Sequence, residues 1–175
     1  MFFVKCAYRH YNRSVNIIIT KSAEETQEVA RLFARAVADE LAPREKTVII
    51  ALDGALGAGK TTFAQGFAEG LGVKERVKSP TFVLLRKYDL HKHKLKAKSQ
   101  KSKVKGYQYF YHADCYRLND EKDIDAIGLR EIMADPENIV LIEWARRIAK
   151  ALPKKNIIRV TFKYINERTR KISFN

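Results

Sequence analysis

Between Leu52 and Phe67 the chain reads LDGALGAGKTTFAQGF, and within it Gly54, Gly59, Lys60 and Thr61 satisfy G-x-x-x-x-G-K-[ST] at every fixed position. Each residue type has a chemical reason to be there. Glycine accepts backbone angles that other residues resist, so the N–H groups of Ala55, Leu56, Gly57, Ala58 and Gly59 can converge on one phosphate. A helix opening at Lys60 adds its positive end to the same anion. The Lys60 ammonium reaches β- and γ-phosphate oxygens as a point charge, and the Thr61 hydroxyl suits Mg²⁺, a cation that takes oxygen ligands and keeps several waters. Thr62 either touches the phosphate chain further along or is only a residue of the first helical turn.

Phosphoryl transfer also needs an acid that orients the metal or the attacking group, and a segment that senses the γ-phosphate. Two apolar runs end in an acid: YQYFYHAD ends at Asp114 and NIVLIE at Glu143. In a parallel α/β sheet both strand ends fall on the ligand side, beside the glycine turn. Between the phosphate helix and the next strand lies VKSPTF, Val77 to Phe82. Its Ser79 and Thr81 hydroxyls either reach the γ-phosphate or metal, or belong to a Ser-Pro turn entering a strand.

The elements around these residues follow from periodicity. TVIIAL (Thr47–Leu52) and NIVLIEW (Asn138–Trp144) are continuous apolar runs, as expected of strands buried on both faces of a parallel sheet. VNIIITK (Val15–Lys21) reads as a short strand. Ser22 and Glu25 then form a capping box for a helix carrying Val29, Leu32, Phe33, Ala36 and Val37 on one face, which Pro43 ends. The phosphate helix runs from about Lys60 to Leu71. TFVLLRKYDL (Thr81–Leu90) and YQYFYHADCYRL (Tyr107–Leu118) read as strands. EKDIDAIGLREIM is helical with an interruption at Gly128, and a short helix after Trp144 ends near Pro153. The C-terminal stretch closes as a hairpin turning at Asn166–Arg168. The expected fold is a single α/β domain over residues 1–175, a P-loop NTPase-like mixed sheet flanked by helices, with antiparallel strand additions.

The 175 residues carry a formal net charge of +14, and HKHKLKAKSQKSKVK, His91 to Lys105, holds seven lysines and no acid, half of that excess. With no helical or strand periodicity, this segment reads as a loop insertion. It is either a solvated surface loop or a clamp on an RNA phosphate backbone. No apolar run is long enough to span a membrane, and the opening MFFVKCAYRHYNRS, an N-terminal extension over 1–14, lacks the pattern of a signal peptide. Cys6 and Cys115 are far apart and read as reduced thiols, so a cytoplasmic protein is expected.

Taken together, GALGAGKTTF, VKSPTF, HADCYRL and LIEWARRI resemble the TsaE family, small bacterial P-loop ATPases required for threonylcarbamoyladenosine modification of tRNA. The resemblance spans roughly Ile17 to Ile165. It implies an ATP- and Mg²⁺-dependent ATPase, weak alone, that supports modification of the adenosine next to the anticodon together with the TsaD and TsaB subunits. It implies phosphate contacts from Gly54 through Thr62, a switch segment at Ser79–Thr81, an essential acid at Asp114 and a magnesium site at Thr61 and Glu143. Trp144 matches the family's Trp, with a core or sheet-edge aromatic as its structural role. Where the family usually carries an acid after the first glycine this chain has Ala55, and Asp53 lies two positions earlier.

The main rival is a small-molecule or nucleotide kinase on the same P-loop. It would need an acceptor pocket and an arginine-bearing lid, for which Arg146–Arg147 is the one adjacent arginine pair. Asp125-x-x-Gly128 resembles a GTPase motif, but it follows no strand and no N-K-x-D occurs. A basic RNA-binding module with a structural nucleotide site rests on the lysine segment alone.

Overall fold

In the computed structural model, residues 16–40, 47–75, 77–90, 107–118 and 120–175 are described. The N-terminal extension, Cys6, Pro43 and the lysine-rich segment 91–105 lie outside the described residues. The elements are β1 (Asn16–Thr20), α1 (Ala23–Glu40), β2 (Val48–Gly54), α2 (Lys60–Gly70), β3 (Leu85–Asp89), β4 (Tyr109–Asp114), α3 (Glu121–Ala126), α4 (Leu129–Ala134), β5 (Asn138–Glu143), a 3-10 turn (Ala145–Ile148), β6 (Ile157–Tyr164) and β7 (Arg170–Phe174).

The strands form one sheet in the order β1-β7-β6-β2-β5-β4-β3. Its centre, β6-β2-β5-β4, is parallel. The additions β3, β7 and β1 are antiparallel, as the sequence predicts. β2 is buried from Val48 through Asp53 and β5 along its whole length, which explains their unbroken apolar runs. Side chains alternate across the sheet. Ile50, Leu52, Leu141 and Val160 face α1 and α2, whereas Ile49, Ala51, Val140 and Ile142 face α3, α4 and the 3-10 turn.

Helix α1 starts as expected: the Ser22 hydroxyl accepts from the Glu25 N–H at 3.1 Å, and the Glu25 carboxylate accepts from the Lys21 N–H at 2.6 Å. Its buried stripe is shifted from the expected one, to Ala30, Phe33, Ala34, Ala36 and Val37, with Val29 and Leu32 only half-buried. The small residues face inward because α1 lies very close to α2. A Cβ on Gly66 would stand 2.3 Å from the Gln27 carbonyl oxygen, and Arg31 ties the two helices by an ion pair to Glu69 at 2.7 Å. Beneath them Phe33 meets Phe174 at 5.1 Å and Phe63 meets Phe162 at 5.4 Å between ring centres, fastening both helices to β6 and β7.

Three elements differ from the sequence expectation. β4, expected as a strand through Leu118, ends at Asp114. The strand expected from Thr81 begins at Leu85, because the Pro80 carbonyl accepts from the N–H groups of Val83 and Leu84 and closes a turn over Thr81–Val83. Phe82 is left 83% exposed. The helix expected after Trp144 is a single 3-10 turn. The expected hairpin is present, its turn held by Asn166 Oδ1, which accepts from the N–H groups of Arg168 and Thr169. Among the described residues no helix is long and apolar enough to cross a membrane.

Gly66→Ala should force α1 away from α2 and cost about 2 kcal/mol, as overpacking does at tight contacts. The check is equilibrium urea unfolding against the parent protein, with an unchanged denaturant slope.

Candidate functional site

Three parallel strand ends meet at one point. Register sets Leu52 of β2 beside Glu143 of β5, and Glu143 beside Asp114 of β4. β2 then leaves the sheet through Gly54 into the turn, and α2 begins at Lys60 behind the left-handed Gly59. Gly54 has no substitute: a Cβ there would stand 2.7 Å from the Phe162 carbonyl oxygen on β6. The turn's amides therefore open onto the carboxyl edge of the sheet, the place where open α/β sheets bind ligands.

A cavity of about 750 Å³ lies over this edge. Leu56, Gly57, Ala58, Gly59, Lys60, Thr61, Thr62, Ser79, Thr81, Asp114 and Glu143 all line it, so the structure gathers nearly all the sequence-predicted residues. Gly54 and Ala55 lie beneath, and both their carbonyls accept from Lys60 Nζ at 2.8 Å. Burial pulls the Lys60 ammonium below its ordinary pKa, against the opposing pull of Glu143, Asp114 and Asp53. The Thr61 hydroxyl donates to Glu143 Oε2 at 2.9 Å. Ser79 and Thr81 both donate to Asp114 Oδ2, at 3.2 and 2.5 Å, while Asp114 Oδ1 accepts from the Tyr116 N–H at 2.9 Å. The Ser79–Thr81 segment is thus hinged on the β4 acid.

Other parts of the site were not foreseen. Trp144 is half-buried at the edge of the core on the α3 and α4 side, as expected, but it also serves the site. It sits in a left-handed conformation (φ 58°), lines the cavity, and has Lys60 Nζ 3.8 Å from its ring centre. His112, fully buried, places Nε2 2.9 Å from Glu143 Oε1. A strand repeats its facing every second residue, so H-x-D in HADCYRL was the available signal. Arg170 on β7 donates to the Gly57 carbonyl at 3.3 Å and lines the cavity with Glu167 and Arg168. No local sequence signal joins residues so far apart; the sheet order does.

Asp53 does not replace the acid absent at position 55. It points to the other side of β2, where Oδ1 accepts from the Arg146 N–H at 3.0 Å and Oδ2 lies 3.7 Å from Arg146 Nε. Arg147 donates to the Leu118 carbonyl at 3.3 Å. The arginine pair therefore braces the 3-10 turn, and neither residue lines the cavity. Asp125 and Gly128 lie at the junction of α3 and α4, also away from it.

The residues present fit a nucleotide phosphate chain with magnesium. Thr61 and Glu143 offer oxygen donors at a helix N-terminus. Among the described residues no group of three or more His, Cys, Asp or Glu side chains could enclose a metal.

The described residues thus form a mixed α/β protein, one seven-stranded sheet flanked by helices, in which a buried parallel strand turns through glycines into a helix N-terminus beside acids from the two next strands. Within that class, the family described as "Threonylcarbamoyl adenosine biosynthesis protein TsaE" matches residues 20–172, and the chain belongs to the TsaE family. It is 34% identical over 155 residues to the tRNA threonylcarbamoyladenosine biosynthesis protein TsaE of Bacillus subtilis, covering 89% of this chain and 82% of that one. With the protein of the same name from Treponema pallidum it shares 32% over 139 residues, 79% of this chain and 85% of that one. The crystal structure of Bacillus subtilis YdiB superposes with a TM-score of 0.66 at 29% identity, over 92% of this chain and 84% of that one.

Beside Asp114, burial first and the neighbouring carboxylate second push the Cys115 thiol up to about 12. In a Cys6→Ser background, Cys115 should therefore resist iodoacetamide at pH 8 in the folded protein and react fully once unfolded. Mass spectrometry of the two samples checks this.

Proposed function

We propose that the chain is a Mg²⁺-dependent ATPase of tRNA threonylcarbamoyladenosine biosynthesis, acting in the cytoplasm as one domain. The observation that carries the proposal is the Thr61–Glu143 hydrogen bond at the mouth of the glycine turn. It joins the phosphate helix to the neighbouring strand's acid, as a nucleotide–magnesium site requires.

The turn's amides and the start of α2 bind the phosphates. Lys60 is held by two carbonyls it can exchange for β- and γ-phosphate oxygens. Thr61 and Glu143 would hold the magnesium, which when bound offsets charge building on the phosphate oxygens. Asp114 orients the metal shell or the attacking water, and Ser79 and Thr81, bonded to the same carboxylate, report whether a γ-phosphate is present. The cavity continues past the turn to Ser22, Glu24 and Arg168, leaving room for a nucleoside.

The relatives' names place them in tRNA modification, and the partners proposed for this chain are the TsaD and TsaB subunits. Phe82, exposed next to Thr81, offers such a partner a handle on Asp114 through one residue of backbone. tRNA is met either indirectly, through the partners, or through the lysine-rich segment 91–105. The kinase alternative finds no support in the arginine pair, since neither Arg146 nor Arg147 lines the cavity.

The test is ATP hydrolysis by the full chain, alone and with TsaD, TsaB and tRNA. Turnover should be weak alone and rise with the partners. Lys60→Ala should abolish it, and Glu143→Ala should lower the stimulated rate about 100-fold. Phe82→Ala should lose stimulation while keeping the basal rate. Phosphorylation of a small acceptor with no partner effect would overturn the proposal in favour of a kinase. If the segment makes the contact, replacing its seven lysines with serine should weaken tRNA binding and flatten its salt dependence, measured by filter binding from low to moderate salt.

A further inference from the structure

We propose that His112 is a positioning residue: it fixes the orientation in which the Glu143 carboxylate is presented to Thr61, and so sets the affinity of the site for magnesium. The proposal rests on the ATPase reading above. His112 and Asp114 share one face of β4, and register places Leu141 beside His112 and Glu143 beside Asp114. The His112 ring therefore lies one step deeper in the sheet than the two acids. Its side chain is 0% exposed and that of Glu143 2%.

The Glu143 carboxylate is gripped from two sides. Oε1 lies 2.9 Å from His112 Nε2, and Oε2 accepts from the Thr61 hydroxyl at 2.9 Å. A carboxylate oxygen there is an acceptor, so the shared proton sits on Nε2. Rotation about the last torsion of a glutamate is broad and nearly two-fold, so such a group keeps one orientation only when both oxygens are engaged differently. His112 occupies one oxygen from below, leaving the other to face Thr61 and the cavity. Groups that orient a metal-binding side chain in this way change metal affinity without touching the metal.

Packing does not account for this imidazole. Nδ1 is buried and has no hydrogen-bond partner among the described residues, and the ring stacks on Phe110 at 6.5 Å and 15°. A purely apolar ring would fill the same space without an orphaned nitrogen. What the histidine adds is the Nε2–H aimed at Glu143.

The experiment compares the full chain with H112Q and H112N. Glutamine carries its amide nitrogen about as far from the backbone as Nε2, and asparagine stops short of it. Trp144, the chain's one tryptophan and a wall of the cavity, reports ATP binding by fluorescence as Mg²⁺ is titrated. H112Q should keep the parent's Mg²⁺ midpoint within about twofold. H112N should raise it about tenfold or more while binding ATP unchanged without Mg²⁺. Equal midpoints in the three proteins, or equal shifts in both variants, would overturn the proposal.

A second measurement needs neither nucleotide nor a stable variant at 112. In ¹⁵N-histidine spectra of the protein alone, the proton facing Glu143 should sit on His112 Nε2 and move upfield in Glu143→Ala. A proton on Nδ1 alone, or no response to that substitution, would refute the positioning role. If the parent protein shows no Mg²⁺-dependent ATP binding while the spectra behave as expected, the ATPase reading fails and the His112–Glu143 contact stands.

Discussion

The site depends on the parallel register across β4, β5 and β2. That register brings Asp114, Glu143 and the last residues of β2 to the same level at one edge of the sheet. A slip of one residue in either pairing would turn an acid to the opposite face, towards α3 and α4, because side chains alternate with a period of two. Close packing of β2 and β5 into the separate cores on the two faces of the sheet opposes such a slip. The two cores are therefore what aligns the chemistry, and the site inherits its precision from residues that never touch it.

Around that edge the polar groups form a linked set. Lys60 lies against Trp144, Trp144 against Tyr116 at 5.0 Å between ring centres, and Tyr116 donates its backbone N–H to Asp114. Asp114 in turn holds Thr81, beside the exposed Phe82. A push on the outside of the Pro80 turn can thus reach the phosphate lysine through a few direct contacts. Such continuity is what a site regulated by a second protein needs, since a switching segment must be bonded to the groups whose arrangement it changes.

Much of this was legible in the sequence, for identifiable reasons. The glycine turn, both buried strands, both strand-end acids and the final hairpin depend on local composition and short spacing, which a linear reading captures. The late start of β3 was not legible, because a β-branched and aromatic stretch was drawn into a turn by one proline carbonyl. The buried stripe of α1 was displaced because its partner helix offers glycine at the contact, a fact about α2 rather than α1. Trp144 was undervalued because its left-handed backbone, which aims the ring at Lys60, leaves no trace in residue type. Arg170 and His112 were missed for opposite reasons. The first reaches the turn only through the sheet order, and the second was passed over in a motif whose acid drew the attention.

The strand order has a consequence for synthesis. β1, the first described strand, pairs with β7, the last, and β6 must lie between β7 and β2 before that side of the sheet exists. While the chain emerges from the ribosome, β1 has no neighbour and the apolar edge of β2 stays open until the final twenty or so residues appear. Contacts so distant in sequence form slowly and leave unpaired edges exposed in the meantime. The phosphate turn, whose floor is Phe162 of β6, cannot be completed on a partial chain. A chain truncated before β6 would therefore leave the glycine turn without the strand that Gly54 packs against.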